Sequence, residues 1–214
     1  MKTAYTMKTF SVMQKAFLSK TTMMPADFGT IEVMTMNFHM IDKDDLKNGE
    51  GIRCVLWVAG CNHHCPGCQN EWTQDPAGGE LFRPDHMTRI LELCAEDYCD
   101  GLTLSGGDPM YPPNRSEVYA ICKMFRTQFG NTKTIWMYTG YTLEEIADEP
   151  VLDLVDVVVD GPYIEAQRNT QRYWCGSENQ TIWRKVYGKW TSDPPEYVTS
   201  LSDEQHEKEK GCDC

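Results

Sequence analysis

Apolar residues follow one another without polar alternation through Cys54-Val55-Leu56-Trp57-Val58, the pattern of a strand buried on both faces. Upstream, Asn48-Gly49 and Glu50-Gly51 are turn chemistry. Downstream, Pro84 to Glu96 carries Met87, Ile90, Leu91 and Cys94 at helical spacing. Gly101 to Leu104 predicts a short strand that ends in Ser105-Gly106-Gly107-Asp108-Pro109. Val118, Ile121, Cys122 and Phe125 predict a second helix over Ser116–Phe129, and Thr134–Tyr138 reads as a third strand. A short helix is expected over Thr142–Ala147, with Glu144 and Glu145 in its first turn favoured by the helix dipole. Val155–Val159 is the fourth strand, closed by Asp160-Gly161-Pro162. Strand and helix alternate, so the fold class is α/β with a parallel sheet and right-handed crossovers. All four strands end in glycine-containing loops, which places those loops on one rim, where such sheets keep their active sites.

The ends of the chain read differently. Residues 1–35 hold Lys2, Lys8, Lys15 and Lys20 with few acids and no proper apolar targeting core, and are expected to be a flexible extension. Beyond Trp183 the pattern dissolves. Residues 36–190 form the expected domain, and 191–214, with Pro194, Pro195 and many acids, an acidic tail. The terminal Cys212-Asp213-Cys214 reads as exposed free thiols rather than a metal or redox pair.

Composition narrows the field. At 214 residues, 41% hydrophobic and 24% charged, the chain suits one globular domain with a real core. A net charge of −12 argues against a nucleic-acid binder and against an anionic membrane surface. No apolar run approaches spanning length. Ten cysteines, unevenly spread, fit metal ligation in a reducing compartment, the cytoplasm, better than a secreted disulfide scaffold.

The chemistry concentrates in Gly60-Cys61-Asn62-His63-His64-Cys65-Pro66-Gly67-Cys68-Gln69-Asn70. Cys61, Cys65 and Cys68, at x3 and x2 spacing in a tight loop, can bring three thiolates to a soft metal centre. With three local cysteines instead of four, a four-iron cluster would keep one iron open for a ligand. Spacing alone also admits a zinc site completed by His63, His64 or a distant cysteine, and unliganded thiols. Ser105-Gly106-Gly107-Asp108-Pro109 lets backbone approach a ligand and sets a carboxylate beside it, although the same residues also make an ordinary turn. Together the two stretches describe an open iron on one loop and a cradle for its ligand's amino end on the next.

In these residues the sequence resembles the radical S-adenosylmethionine enzymes. More closely it is similar to the activating proteins of the anaerobic (class III) ribonucleotide reductase. The resemblance is carried by Asn48 to Arg53, Cys61 to Asn70, Leu104 to Pro109, Tyr138 to Tyr141, Val159 to Pro162 and Gly176 to Gln180. It covers about Met36 to Trp183 and implies an incomplete parallel (βα) barrel of the radical S-adenosylmethionine type. It implies that Cys61, Cys65 and Cys68 ligate a 4Fe-4S cluster whose open iron S-adenosylmethionine chelates. Gly67, Cys68 and Gln69 would border that cofactor, and Gly106, Gly107 and Asp108 would receive its methionyl amino end. Reductive cleavage would give methionine and a 5′-deoxyadenosyl radical that takes hydrogen from a glycine of the large reductase subunit. The partners implied are that subunit and an external electron donor such as flavodoxin. Gly67, where many radical enzymes have an aromatic residue, is shared with the activating proteins; Cys175, where they usually have arginine, is a departure. Thr139 and Asp160 are weak candidates for a monovalent cation, with turn formation the simpler reading of Asp160. His63 and His64 read as loop residues, with tuning of the cluster through outer hydrogen bonds the lesser alternative, Cys54, Cys94 and Cys122 as core thiols, and Arg53 as able to pair with an acid of the chain or of its partner. Two rivals stand beside this reading: a radical enzyme acting on a small molecule, and a non-catalytic zinc-binding module.

Overall fold

A computed structural model describes residues 35–193. Most of the expected extension (1–35) and of the expected tail (191–214), Cys212 and Cys214 included, falls outside these residues.

The elements are β1 (Asn37–Asp45), β2 (Arg53–Val58), β3 (Glu80–Leu81), α1 (Pro84–Cys94), β4 (Gly101–Gly106), α2 (Arg115–Phe129), β5 (Thr134–Tyr138), β6 (Val157–Asp160), β7 (Thr181–Val186) and β8 (Lys189–Ser192). They form one eight-stranded sheet in the order β3-β1-β2-β4-β5-β6-β7-β8. The inner four strands are parallel, with Leu56 opposite Leu104, Leu102 opposite Ile135 and Met137 opposite Val158. This is the block expected from the apolar runs. The flanks are antiparallel: β1 runs against β2, β3 against β1, β7 against β6 and β8 against β7. The sheet is therefore mixed, not parallel throughout.

Alternate residues of the buried strands serve opposite faces. Cys54, Leu56, Val58, Leu102 and Leu104 pack with Ile90 and Cys94 of α1 and Ile121, Cys122 and Phe125 of α2 in the main core. On the other face Trp136, Val157, Val159 and Ile182 form a smaller core, against which Tyr138, Tyr173, Trp174 and Cys175 pack. Cys54, Cys94 and Cys122 are buried thiols, as expected.

Arg53 departs from expectation. Its side chain is fully buried and meets oxygens that are not carboxylates. Nε donates to Thr103 Oγ1 at 2.6 Å, Nη1 to the Glu50 carbonyl and Thr134 Oγ1, and Nη2 to the Leu102 and Thr134 carbonyls. The guanidinium also lies 5.5 Å from the Trp136 ring centre. Desolvation lowers its pKa to about 10, and the fixed dipoles around it are what keep a charge there.

Two further expectations fail. Thr142–Ala147 is a run of turns, with i to i+3 bonds such as Glu145 N–H to the Thr142 carbonyl at 3.0 Å. The Thr142 N–H donates to Glu145 Oε2 at 2.7 Å, a helix-start signature on a segment too short to propagate before Pro150. Past Trp183 the chain does not dissolve: β7 and β8 form a hairpin reaching Ser192, beyond residue 190. Its partly exposed residues mask the strand pattern. Lys185 Nζ lies 5.2 Å from the Trp190 ring, and Arg184 pairs with Asp193 at 2.8 Å and Glu50 at 3.0 Å. Among the described residues no helix is long and apolar enough to cross a membrane.

Candidate metal centre

The loops after β2, β4, β5 and β6 surround a cavity of about 410 Å³. Cys61, Cys65, Cys68 and Gln69 line it from the β2 loop, and Gly106, Gly107 and Asp108 from the β4 loop. The β2 loop is pinned by backbone bonds from Gly60 N–H to the Thr73 carbonyl (2.9 Å) and from Cys61 N–H to the Gln74 carbonyl (3.1 Å). It closes on itself through Cys68 N–H to the Cys65 carbonyl at 3.1 Å. Gly67 has φ +72°, the left-handed backbone that favours glycine, and the movable Glu165 carboxylate lies 2.3 Å from where a Cβ would stand.

The three cysteines are unpaired and half-buried. Burial pushes the Cys61 and Cys65 thiols up, so each must release a proton as a metal binds. Among the described residues no three His, Cys, Asp or Glu side chains are gathered to hold a single ion. Three soft thiolate donors lining one cavity are the donor set that an iron–sulfur cluster takes, one thiolate to each of three irons. The donor set thus fits an iron–sulfur cluster.

The β4 loop is built by close backbone approach. Gly107 N–H donates to the Val58 carbonyl and Asp108 N–H to the Gly60 carbonyl, both at 2.8 Å. A Cβ on Gly107 would stand 2.4 Å from the Gly60 oxygen, and one on Gly106 would stand 2.5 Å from the Val58 oxygen. These glycines let β4 lie against β2 and the cysteine loop, besides lining the cavity. Asp108 is buried, and its carboxylate is engaged by protein donors. Oδ1 accepts from Met110 N–H (2.7 Å), and Oδ2 from Thr139 Oγ1 (3.2 Å) and Gly140 N–H (3.0 Å), with His63 Nε2 at 3.0 Å. His64, by contrast, is an exposed loop residue near Gln74.

Thr139 and Asp160 are tied to separate partners. Asp160 accepts from Leu143 N–H at 2.7 Å and Thr181 N–H at 3.3 Å, the turn-holding role, while Thr139 serves Asp108. Cys175, Gly176 and Gln180 also line the cavity. Gln180 Oε1 accepts from Gly176 and Ser177 N–H, and its Nε2 donates to the Gly161 carbonyl. Burial pushes the Cys175 thiol up to about 11.

Sequence reasoning missed Trp57, Tyr138 and Trp174 as cavity residues. Trp57 lies in register with Ser105, so strand alternation could have placed it on the inner face. The buried Trp57 Nε1 and Tyr138 Oη have no hydrogen-bond partner among the described residues, and burial pushes the Tyr138 phenol up.

Comparison with known proteins agrees with this geometry. Residues 47–183 match the family described as a 4Fe-4S single cluster domain. The anaerobic ribonucleoside-triphosphate reductase-activating protein of Enterobacteria phage T4 is 40% identical over 158 residues, 74% of this chain and 100% of its own. The proteins of the same name from Vibrio cholerae and Escherichia coli K12 are 39% and 36% identical over 153 and 151 residues, covering 70% and 69% of this chain and 98% and 97% of theirs. With its thiol-lined cavity and this extent of similarity, the chain belongs to the family of anaerobic ribonucleoside-triphosphate reductase-activating proteins.

Proposed function

We propose that this chain cleaves S-adenosylmethionine reductively at a 4Fe-4S cluster and leaves a glycyl radical on the large subunit of an anaerobic ribonucleotide reductase. One observation carries the reading: three free thiols and the Gly106-Gly107-Asp108 loop line the same cavity at the C-terminal ends of parallel strands. Cys61, Cys65 and Cys68 hold the cluster. Gly67, Cys68 and Gln69 on one side and Gly106, Gly107 and Asp108 on the other border S-adenosylmethionine, with Asp108 acting through the loops it ties together. When bound, the reduced cluster and S-adenosylmethionine supply the carbon–sulfur cleavage and the hydrogen-abstracting species. The protein's own part is to bind, orient and exclude water. Trp57, Tyr138 and Trp174 wall the cavity and help exclude water from it.

The four parallel strands, with helices on one face and the cavity at their ends, support an incomplete (βα) barrel of the radical S-adenosylmethionine type. A net charge of −12 supports a protein partner over nucleic acid or an anionic membrane. An external one-electron donor such as flavodoxin, in the cytoplasm, completes the reading.

The experiment is electron paramagnetic resonance, without oxygen, on the reduced protein mixed with S-adenosylmethionine and the reductase large subunit. A doublet that disappears when the partner's glycine is replaced by alanine is the expected result. Cofactor cleavage with no protein radical, but with turnover of a small molecule, would overturn it.

A further inference from the structure

The cysteine loop has no regular structure, yet the residue whose backbone meets its first thiol is held from several sides. His63, two residues on, donates its backbone N–H to Cys61 Sγ at 3.4 Å. The His63 ring is fixed independently of that bond. Nε2 lies 3.0 Å from Asp108 Oδ2, and the ring stands edge-on to Tyr141 with centroids 4.5 Å apart. Only 18% of the His63 side chain and 1% of the Asp108 side chain are exposed. Gly140 closes the other side, since a Cβ there would stand 2.4 Å from His63 Cδ2. Asn62 Nδ2 donates to Tyr141 Oη at 2.8 Å, and that hydroxyl donates back to Asn62 Oδ1 at 3.0 Å. Asp108 does not move to suit the histidine, because Met110, Thr139 and Gly140 already hold its carboxylate.

We propose that His63 is a positioning residue for the first thiol: its ring, anchored on Asp108 and Tyr141, holds its own backbone N–H against Cys61 Sγ and so raises the reduction potential of the bound cluster. This rests on the reading that Cys61 is a cluster ligand. A hydrogen bond to a ligating sulfur stabilises the more negative, reduced state, and donors of this kind are among the levers that set cluster potentials. A backbone donor is directional only while the backbone is fixed, and in a loop without ladder bonds the side chain does the fixing. The His63 ring therefore acts at a distance from the metal, through its main chain.

The test compares wild type with His63→Ala and His63→Gln in two measurements. Hydrogen exchange by mass spectrometry on the iron-free protein reads the loop alone. Exchange across Asn62 to Cys65 is expected to quicken about tenfold in His63→Ala and to return towards wild type in His63→Gln, whose amide can still donate to Asp108. A redox titration of the reconstituted protein, followed by electron paramagnetic resonance, is expected to show a lower midpoint potential for the alanine variant and recovery for glutamine. Should His63→Ala not fold, His63→Phe carries the same comparison, keeping the packing on Tyr141 and lacking the donor. Equal exchange in all variants overturns the proposal. Faster exchange with an unchanged potential also overturns it, leaving His63 a structural tie only. Wild type that takes up no iron refutes the cluster reading itself, an outcome separate from the exchange result.

Discussion

Cys61, Cys65 and Cys68, which the spacing places close together, line one cavity in the structure. A spacing of two or three residues in a loop keeps thiols within one cavity whatever the surrounding fold, so the triad was legible from the chain. Replacing any of the three by alanine is expected to abolish iron uptake in anaerobic reconstitution, measured as iron per protein. Cys175→Ala, which removes a thiol lining the same cavity from outside the cysteine loop, is expected to leave iron content unchanged. Gly107 was legible as special but for an incomplete reason. Its missing Cβ would meet the Gly60 and Thr73 carbonyl oxygens at 2.4 and 2.8 Å, so the clash is with the cysteine loop's own backbone. Gly107→Val is therefore expected to destabilise the fold by about 2 kcal/mol in urea denaturation, and to lower iron uptake as well as S-adenosylmethionine affinity. Arg53 was not legible. Its partners are hydroxyls and carbonyls on Glu50, Leu102, Thr103 and Thr134, brought together by sheet register. No local pattern encodes such a set.

Among the elements, the buried parallel strands were readable because continuous apolar runs have few alternative fates. The β7–β8 hairpin was not, because edge strands bury only part of each residue and may carry charge along their length. Its turn is nevertheless specific: Tyr187 and Gly188 both take positive φ, +49° and +77°, as a two-residue hairpin turn of matching twist requires. Tyr187 is fully exposed, so its ring contributes no burial. Asparagine tolerates that backbone better than tyrosine, and Tyr187→Asn is expected to raise stability by about 0.5–1 kcal/mol, read from the urea midpoint. The failed helix at Thr142–Ala147 shows the converse. A correct start signal was present in Thr142 and Glu145, and length and Pro150 overruled it.

For the whole molecule, the first tie among the described residues joins the Thr35 and Met36 N–H groups to the Glu117 carboxylate, with Met36 N–H 3.0 Å from both oxygens, and fastens the start of β1 to α2. The family match begins later still, at residue 47. A chain starting at residue 35 is thus expected to keep its iron content and its melting temperature, checked by iron analysis and circular dichroism. Loss of either would make residues 1–34 part of the working protein. The flanking antiparallel strands were invisible to a reading that looked for strand–helix alternation, since that rule speaks only of parallel crossovers. One atom at the rim has a broader consequence. Asp108 Oδ2 is shared by groups from the loops after β2 and β5 while its own residue belongs to the loop after β4. Substitutions in those three loops will not combine additively, because each changes the partner the others were selected against. A loop borrowed from a relative should therefore fail when moved singly and succeed when all three travel together, read as iron content of the chimaeras, so that for anyone rebuilding this rim it behaves as one unit.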